Sequence, residues 1–193
     1  GESDRALVEA IAHGAGPLVE WLAERYGLLF DVVDNFNYPG HSALRMHGLP
    51  TRTGRELIDR LRSAAELKEI VVLTGRLAER LFVAPDGRVA GIEVARGDGV
   101  RERIGCGALI LACNGYGGNP DLVRRFIPEM AEALYFGHPG NRGDAVLWGE
   151  EMGTLLASLG GYQGHGSVAT PHNILITWAA IMQGGIQINT EGR

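Results

Sequence analysis

The heptapeptide Asn114-Gly115-Tyr116-Gly117-Gly118-Asn119-Pro120 directly follows the apolar run Ala108-Leu109-Ile110-Leu111-Ala112-Cys113. A continuous apolar run of this kind is expected to be a strand covered on both faces. A buried strand that exits into a glycine turn is where open α/β sheets bind ligands. Gly115 and Gly117 either let backbone approach a ligand closely or simply turn the chain. Asp144 follows Gly143 at the start of a helical pattern, where an acid is favoured by the helix dipole. His165 lies in a Gly-rich stretch, and Thr177 carries a hydroxyl further on. His41, His47, His138 and His172 invite a metal hypothesis, but no two have zinc-site spacing, so no metal is expected. Cys106 and Cys113 stand seven apart, which is no redox-pair spacing, and are expected to be reduced core residues.

The elements that must position these residues can be read in order. Ser3 or Asp4 can cap a first helix bearing Leu7, Val8 and Ile11 on its apolar face. Gly14-Ala15-Gly16-Pro17 is expected to break or restart it, and Gly27 to end it. The turn-rich stretch from Asp31 to Pro50 is long for a structureless loop, and such loops are often functional. Thr53-Gly54-Arg55-Glu56 opens a second helix with Leu57, Ile58, Leu61 and Ala65 on one face. Ile70-Val71-Val72-Leu73 then reads as a short buried strand. Ala78 to Val83 and Arg88 to Val94 flank the turn Pro85-Asp86-Gly87 and predict a hairpin, with Val100 to Ile104 as a third strand. A short helix is expected from Asp121 and another over Asp144 to Leu156. Gly184 to Asn189 reads as a strand running into a turn at Thr190-Glu191-Gly192.

The chain has 193 residues and a net charge of −5, which gives no electrostatic reason to expect nucleic acid or an anionic membrane as partner. No apolar run approaches the roughly 20 residues of a membrane helix. The opening Gly1-Glu2-Ser3-Asp4-Arg5 is no signal peptide, so a cytoplasmic location is expected. It carries no initiator methionine, so Gly1 is not expected to be the natural start. The 29 glycines show no fixed period.

Gly87-Arg88-Val89-Ala90-Gly91, followed by the run and heptapeptide above, resembles the flavoprotein family of fumarate reductases and succinate dehydrogenases. In that family a hairpin precedes a buried strand that ends in Ala-Thr-Gly-Gly-Phe/Tyr-Gly; Cys-Asn stands here for Thr-Gly. Gly143-Asp144-Ala145 matches the family's Gly-Asp-Gly, and His165 lies at the distance of its His-Pro, with Gly166 for Pro. Thr177-Trp178 stands for Thr-Glu, and Asn189 to Arg193 resembles the start of Asn-x-x-Gly-x-Arg. The tract from Tyr38-Pro39-Gly40-His41 to Arg45-Met46-His47-Gly48 is similar to the tricarballylate dehydrogenase branch.

The resemblance implies an α/β fold: a partial FAD-binding, Rossmann-like domain with a three-strand β-meander over residues 1–160, and the start of an α+β substrate-capping domain over 161–193. It implies FAD as cofactor and hydride transfer between flavin and a small carboxylic acid of the fumarate or tricarballylate kind. The electron partner is not indicated. Carried over residue by residue, Ala78 (through its backbone), Gly115, Gly117 and Asp144 would contact FAD, while His165 and Thr177 would bind a substrate carboxylate. Trp178 removes the family's Glu, which puts fumarate in doubt and suggests a bulkier acid. No Gly-x-Gly-x-x-Gly occurs; in the family it lies upstream of the matching first residue, and the catalytic arginine lies beyond the matching last one. The chain is therefore expected to be an internal fragment, inactive by itself. Its open sheet edge would allow a homodimer. Two other readings stand beside this one: a flavoenzyme like the ketosteroid dehydrogenases, mildly favoured by Trp178, and a flavin-free binding module that kept the fold.

Overall fold

The computed structural model describes residues 3–35, 37, 38, 40–164, 168, 169, 171, 172 and 174–193. Chain contacts divide it into two compact units, Gly1–Thr74 and Gly75–Arg193.

The first unit begins with helix α1, Arg5–Tyr26. Asp4 caps it, accepting from the Ala6 and Leu7 N–H groups at 2.8 and 3.1 Å, and Gly27 ends it in the left-handed region. The expected break at Gly14 to Pro17 does not occur, because α1 runs through Pro17. Proline restricts a preceding residue through that residue's Cβ, and Gly16 has none. Strands β1, Asp31–Val32, and β2, His47–Gly48, pair antiparallel and close the turn-rich stretch. Leu28 and Leu49 are the most buried side chains here, at 0% and 4% exposure.

Helix α2, Gly54–Leu67, is capped by Thr53, whose Oγ1 accepts from Glu56 N–H at 3.3 Å. The Glu56 carboxylate reaches back in turn. It accepts from Thr51 N–H at 2.8 Å, from Thr51 Oγ1 at 2.6 Å and from Arg60 Nη2 at 2.7 Å. This is a reciprocal cap of the capping-box kind. The Thr51 hydroxyl and N–H, then Arg60, hold the Glu56 carboxyl down from 4.5 to about 2.

In the second unit the hairpin and third strand form as the alternation predicts. Strands β3, Arg76–Val83, β4, Val89–Arg96, and β5, Arg101–Gly105, make an antiparallel meander in the order β3-β4-β5. Val94 is its most buried side chain, at 3% exposure. A bulge interrupts β3, where Ala78 pairs with Val94 but Arg80 pairs with Glu93. The extra residue, Glu79, binds Arg101 Nε at 3.0 Å.

Helix α3, Pro120–Phe126, a short 3-10 turn at Pro128–Met130, and helix α4, Asp144–Glu151, follow. Tyr116, Leu122, Ile127 and Val146 form their buried centre, with Phe126, Met130, Leu156 and Leu159 packed against it. The tail carries the antiparallel pair β6, Val168–Ala169, and β7, Ile174–Leu175, then helix α5, Trp178–Met182. Helices and antiparallel strands thus alternate along an α/β chain.

Four expectations about further elements are corrected. Ile70–Leu73 is no strand and is exposed, Val71 at 80%. Ala108–Cys113 is neither strand nor buried, with Ile110 at 88% exposure. Ile186–Asn189 is also irregular, although the turn at Thr190 and Glu191 forms, with Asn189 Oδ1 accepting from Glu191 N–H at 3.0 Å. In all three, strand propensity is present but no described strand pairs with the run. A strand without a ladder partner leaves its N–H and C=O groups to water. The fourth concerns α4, which stops at Glu151 rather than Leu156, with Gly153 at φ 68°. Both cysteines are free and half-buried rather than core residues.

Candidate functional site

Hydrogen bonds join the turn from Asn114 to Asn119 to the loop from Tyr135 to Asp144. Asn114 enters the turn in the left-handed region, at φ 62°, which Asn tolerates better than most residues. The turn closes with Asn119 N–H donating to Tyr116 O at 2.8 Å. Asn119 then does two things. Its Oδ1 accepts from the Asp121 and Leu122 N–H groups at 3.1 and 3.3 Å, capping α3, while its Nδ2 donates to Arg142 O at 2.9 Å. Tyr116 points inward: its ring lies 5.6 Å from that of Phe126, and its hydroxyl donates to Leu159 O. Burial, then the negative charge of Glu129, raises the Tyr116 pKa, so it stays a neutral donor.

Two further bonds tie the loop to the turn. Gly118 N–H donates to Asn141 O at 2.8 Å, and Gly143 N–H donates to Gly115 O at 3.2 Å. Gly143 has φ 80°, and a Cβ there would meet Tyr116 Cβ at 2.7 Å and overlap Leu122. Only glycine lets α4 start so close to the core. Asp144, the first residue of α4, accepts from Arg142 Nη2 at 2.9 Å with its side chain 21% exposed. The ion pair with Arg142 orients this side chain at the start of α4.

The structure brings three of the sequence-derived residues together: Gly115, Gly117 and Asp144 share this bonded turn and loop. Gly115 is open, since a Cβ built on it would meet nothing within 4 Å. Gly117 is not, because a Cβ there would overlap the Tyr135 ring; its need for glycine is met by packing within the protein. Ala78 stands on a different element, half-buried in β3 beside the bulge. Thr177 precedes α5 and makes no capping bond with its side chain, which leaves the hydroxyl free of that duty. His165 lies outside the described residues. Among the described residues no group of three or more His, Cys, Asp or Glu is placed to hold a metal ion, and no helix is long and apolar enough to cross a membrane.

Sequence reasoning gave no role to Asn119, Tyr135 and Asn141, and weighed His138 only as a metal ligand. Asn119 had a readable signal, an Asn followed by Pro and Asp at the start of a helix. The other three had none, because their roles arise from contacts across the loop.

The first unit holds a groove of about 1040 Å³ lined by Tyr26, Thr51, Glu56, Arg60 and Lys68 among others. Its Glu56 and Thr51 are committed to capping α2.

Known proteins resemble the chain along most of its length. The family described as FAD binding domain matches residues 1–193. A probable fumarate reductase of Shewanella frigidimarina is 27% identical over 191 residues, covering 99% of this chain and 32% of that protein. A urocanate reductase of Eggerthella lenta is 30% identical over 159 residues, covering 81% of this chain and 26% of the relative. The open conformation of a flavocytochrome c3 fumarate reductase superposes with a TM-score of 0.76 at 27% identity, over 86% of this chain and 29% of that one. The chain spans between a fifth and a third of the length of the relatives it matches.

Proposed function

The chain belongs to the FAD binding domain family, and on that premise we propose that it is the segment of an FAD-dependent reductase that carries part of the cofactor contact and the beginning of the substrate cap. The observation that carries this reading is the open Gly115 turn, bonded through Gly143 to the start of α4. Within residues 1–160 we assign the partial FAD-binding domain, and within 161–193 the start of the capping domain.

The residues suit FAD in two respects. Gly115 presents backbone with no side chain in the way, which a planar ring can approach. The bulge beside Ala78 takes Glu79 out of the ladder and frees backbone groups for a partner other than a strand. A pyrophosphate cradle of the Gly-x-Gly-x-x-Gly type is not in this sequence, so these residues would hold the cofactor's ring and adenine portions only.

When bound, the flavin supplies hydride to, or accepts it from, a carbon of the substrate. Asp144, oriented by its ion pair with Arg142, accepts hydrogen bonds on the cofactor side. Thr177 and His165 donate to a substrate carboxylate and so favour charge build-up next to the reacting carbon. By resemblance the family's proton donor is an arginine, and none of the residues assigned above takes that part. The relatives' names point to α,β-unsaturated acids, fumarate and urocanate. Trp178, 51% exposed beside Thr177, favours an acid with a larger apolar part over fumarate. The same residue favours, as a second reading, a ketosteroid-dehydrogenase-like substrate. A cytoplasmic location and a homodimer complete the proposal, to be checked by fractionation and by sedimentation.

Flavin absorbance tests it. The full-length flavoprotein is expected to purify yellow or to take up FAD, and the 193-residue chain alone to stay colourless and inactive. A full-length protein that stays colourless with FAD in excess refutes the reading and leaves a flavin-free binding module.

A further inference from the structure

The loop from Tyr135 to Gly143 fixes the pose of a histidine that no role above uses. Gly140 N–H donates to His138 Nδ1 at 2.9 Å. An accepting nitrogen carries no hydrogen, so the neutral ring bears its hydrogen on Nε2. A Cβ at Gly140 would come within 2.8 Å of Nδ1 and 3.0 Å of Cε1. The ring therefore lies against backbone that only glycine can provide. The main chain of His138 is tied as well. Its carbonyl accepts from Asn141 N–H at 3.0 Å and from the Tyr135 hydroxyl at 3.2 Å, and Asn141 Nδ2 donates to that hydroxyl at 2.7 Å.

The result is a donor of set direction. His138 is exposed, and its Nε2 makes no hydrogen bond with a described residue. The loop that carries it is bonded to the Asn114–Asn119 turn at three points: Gly118 to Asn141, Asn119 to Arg142, and Gly143 to Gly115. The open backbone at Gly115 belongs to that same bonded body.

We infer that His138 is a cofactor-contacting residue, its Nε2–H donating to an acceptor atom of the flavin ring held against the Gly115 turn. This rests on the reading of Gly115 and Asp144 given under the proposed function. Three features of the chemistry favour it. A ring already ordered by Gly140 loses little freedom on binding. With Nδ1 occupied by Gly140 N–H, Nε2–H is the ring's donor toward a ligand. Reduction adds negative charge to the flavin ring, so a fixed donor binds the reduced form more tightly than the oxidised one and raises its potential.

The test compares wild type, His138→Ala, His138→Asn and Gly140→Ala in the full-length flavoprotein, reading the FAD dissociation constant, the flavin absorption spectrum and the midpoint potential. His138→Asn is the informative variant. Its side-chain oxygen can accept from the N–H two residues on, as in an Asx turn, so the loop is kept while the Nε2 donor is lost. His138→Ala and His138→Asn are each expected to weaken FAD binding about 3–10-fold, the worth of one neutral hydrogen bond, and to lower the potential. Gly140→Ala, which pushes the ring away, is expected to do the same. If His138→Asn keeps wild-type affinity and potential, the histidine only shapes the loop and the inference is overturned. Wild-type behaviour of Gly140→Ala overturns it too, since the pose would then be irrelevant. A wild-type protein that takes up no FAD brings down the proposed function and this inference together, whereas a yellow protein indifferent to His138 brings down the inference alone.

Discussion

Replacing Asn119 separates its two bonding roles. Asn119→Ala removes the α3 cap, two acceptor contacts to Asp121 and Leu122 N–H, and the donor to Arg142 O. Loss of an Asn cap costs about 1 kcal/mol. Leaving the part-buried Arg142 carbonyl without its partner costs about 1 kcal/mol more, giving a total of about 2 kcal/mol. Asn119→Ser keeps a capping oxygen but has no donor that reaches Arg142, so about half the loss is expected. With a urea m value of about 2 kcal/mol/M for a small unit, the unfolding midpoint should fall by about 1 M for Ala and about 0.5 M for Ser. The assay is urea unfolding followed by Trp148 fluorescence, that indole being 8% exposed on α4. Equal midpoints for Ser and Ala would show that the tie to Arg142 contributes nothing. A loss under about 0.5 kcal/mol for Ala would mean that neither role stabilises the turn.

Glu56 sets a pH dependence in the first unit. Its folded-state pKa is depressed from 4.5 to about 2, so its contribution is fully present above about 4.5 and is lost as pH falls towards 2. Glu56→Gln should flatten that acid limb in a CD titration of α2 helicity, and an unchanged limb would remove Glu56 as its cause. Gly143→Ala places a Cβ at φ 80° against Tyr116 and Leu122 and should destabilise the second unit by about 2–4 kcal/mol, strain and overpacking together; thermal unfolding reads this directly. Ile110 is 88% exposed here, so Ile110→Lys should change the stability of the 193-residue chain by under about 0.5 kcal/mol. A larger loss on thermal unfolding would contradict the exposure of this run. Asp144→Asn should lower FAD retention by the full-length protein while leaving the far-UV CD spectrum unchanged, because Arg142 can still bond the amide oxygen.

Some of this was legible in the sequence because it depends on neighbours a few residues away. Asp4 and Thr53 cap helices, Gly27 ends one, and Pro85-Asp86-Gly87 turns a hairpin; each follows from local φ and hydrogen-bonding needs that the residue types announce. The order of motifs from Gly87 to Asp144 likewise carried the family resemblance, which the match over residues 1–193 bears out. The remainder needed the folded chain. Apolar runs at Ile70–Leu73 and Ala108–Cys113 look like strands, but a strand exists only where another strand meets its N–H and C=O groups, and none of those described does so. Gly117 was read as a turn or a ligand approach, yet the Tyr135 ring, eighteen positions on, is what excludes a side chain there. The tautomer of His138 depends on where Gly140 N–H points. Composition and spacing determine which local bonds are available; only tertiary contact decides which distant group faces each one, and therefore which glycine, ring or carbonyl is left for a ligand.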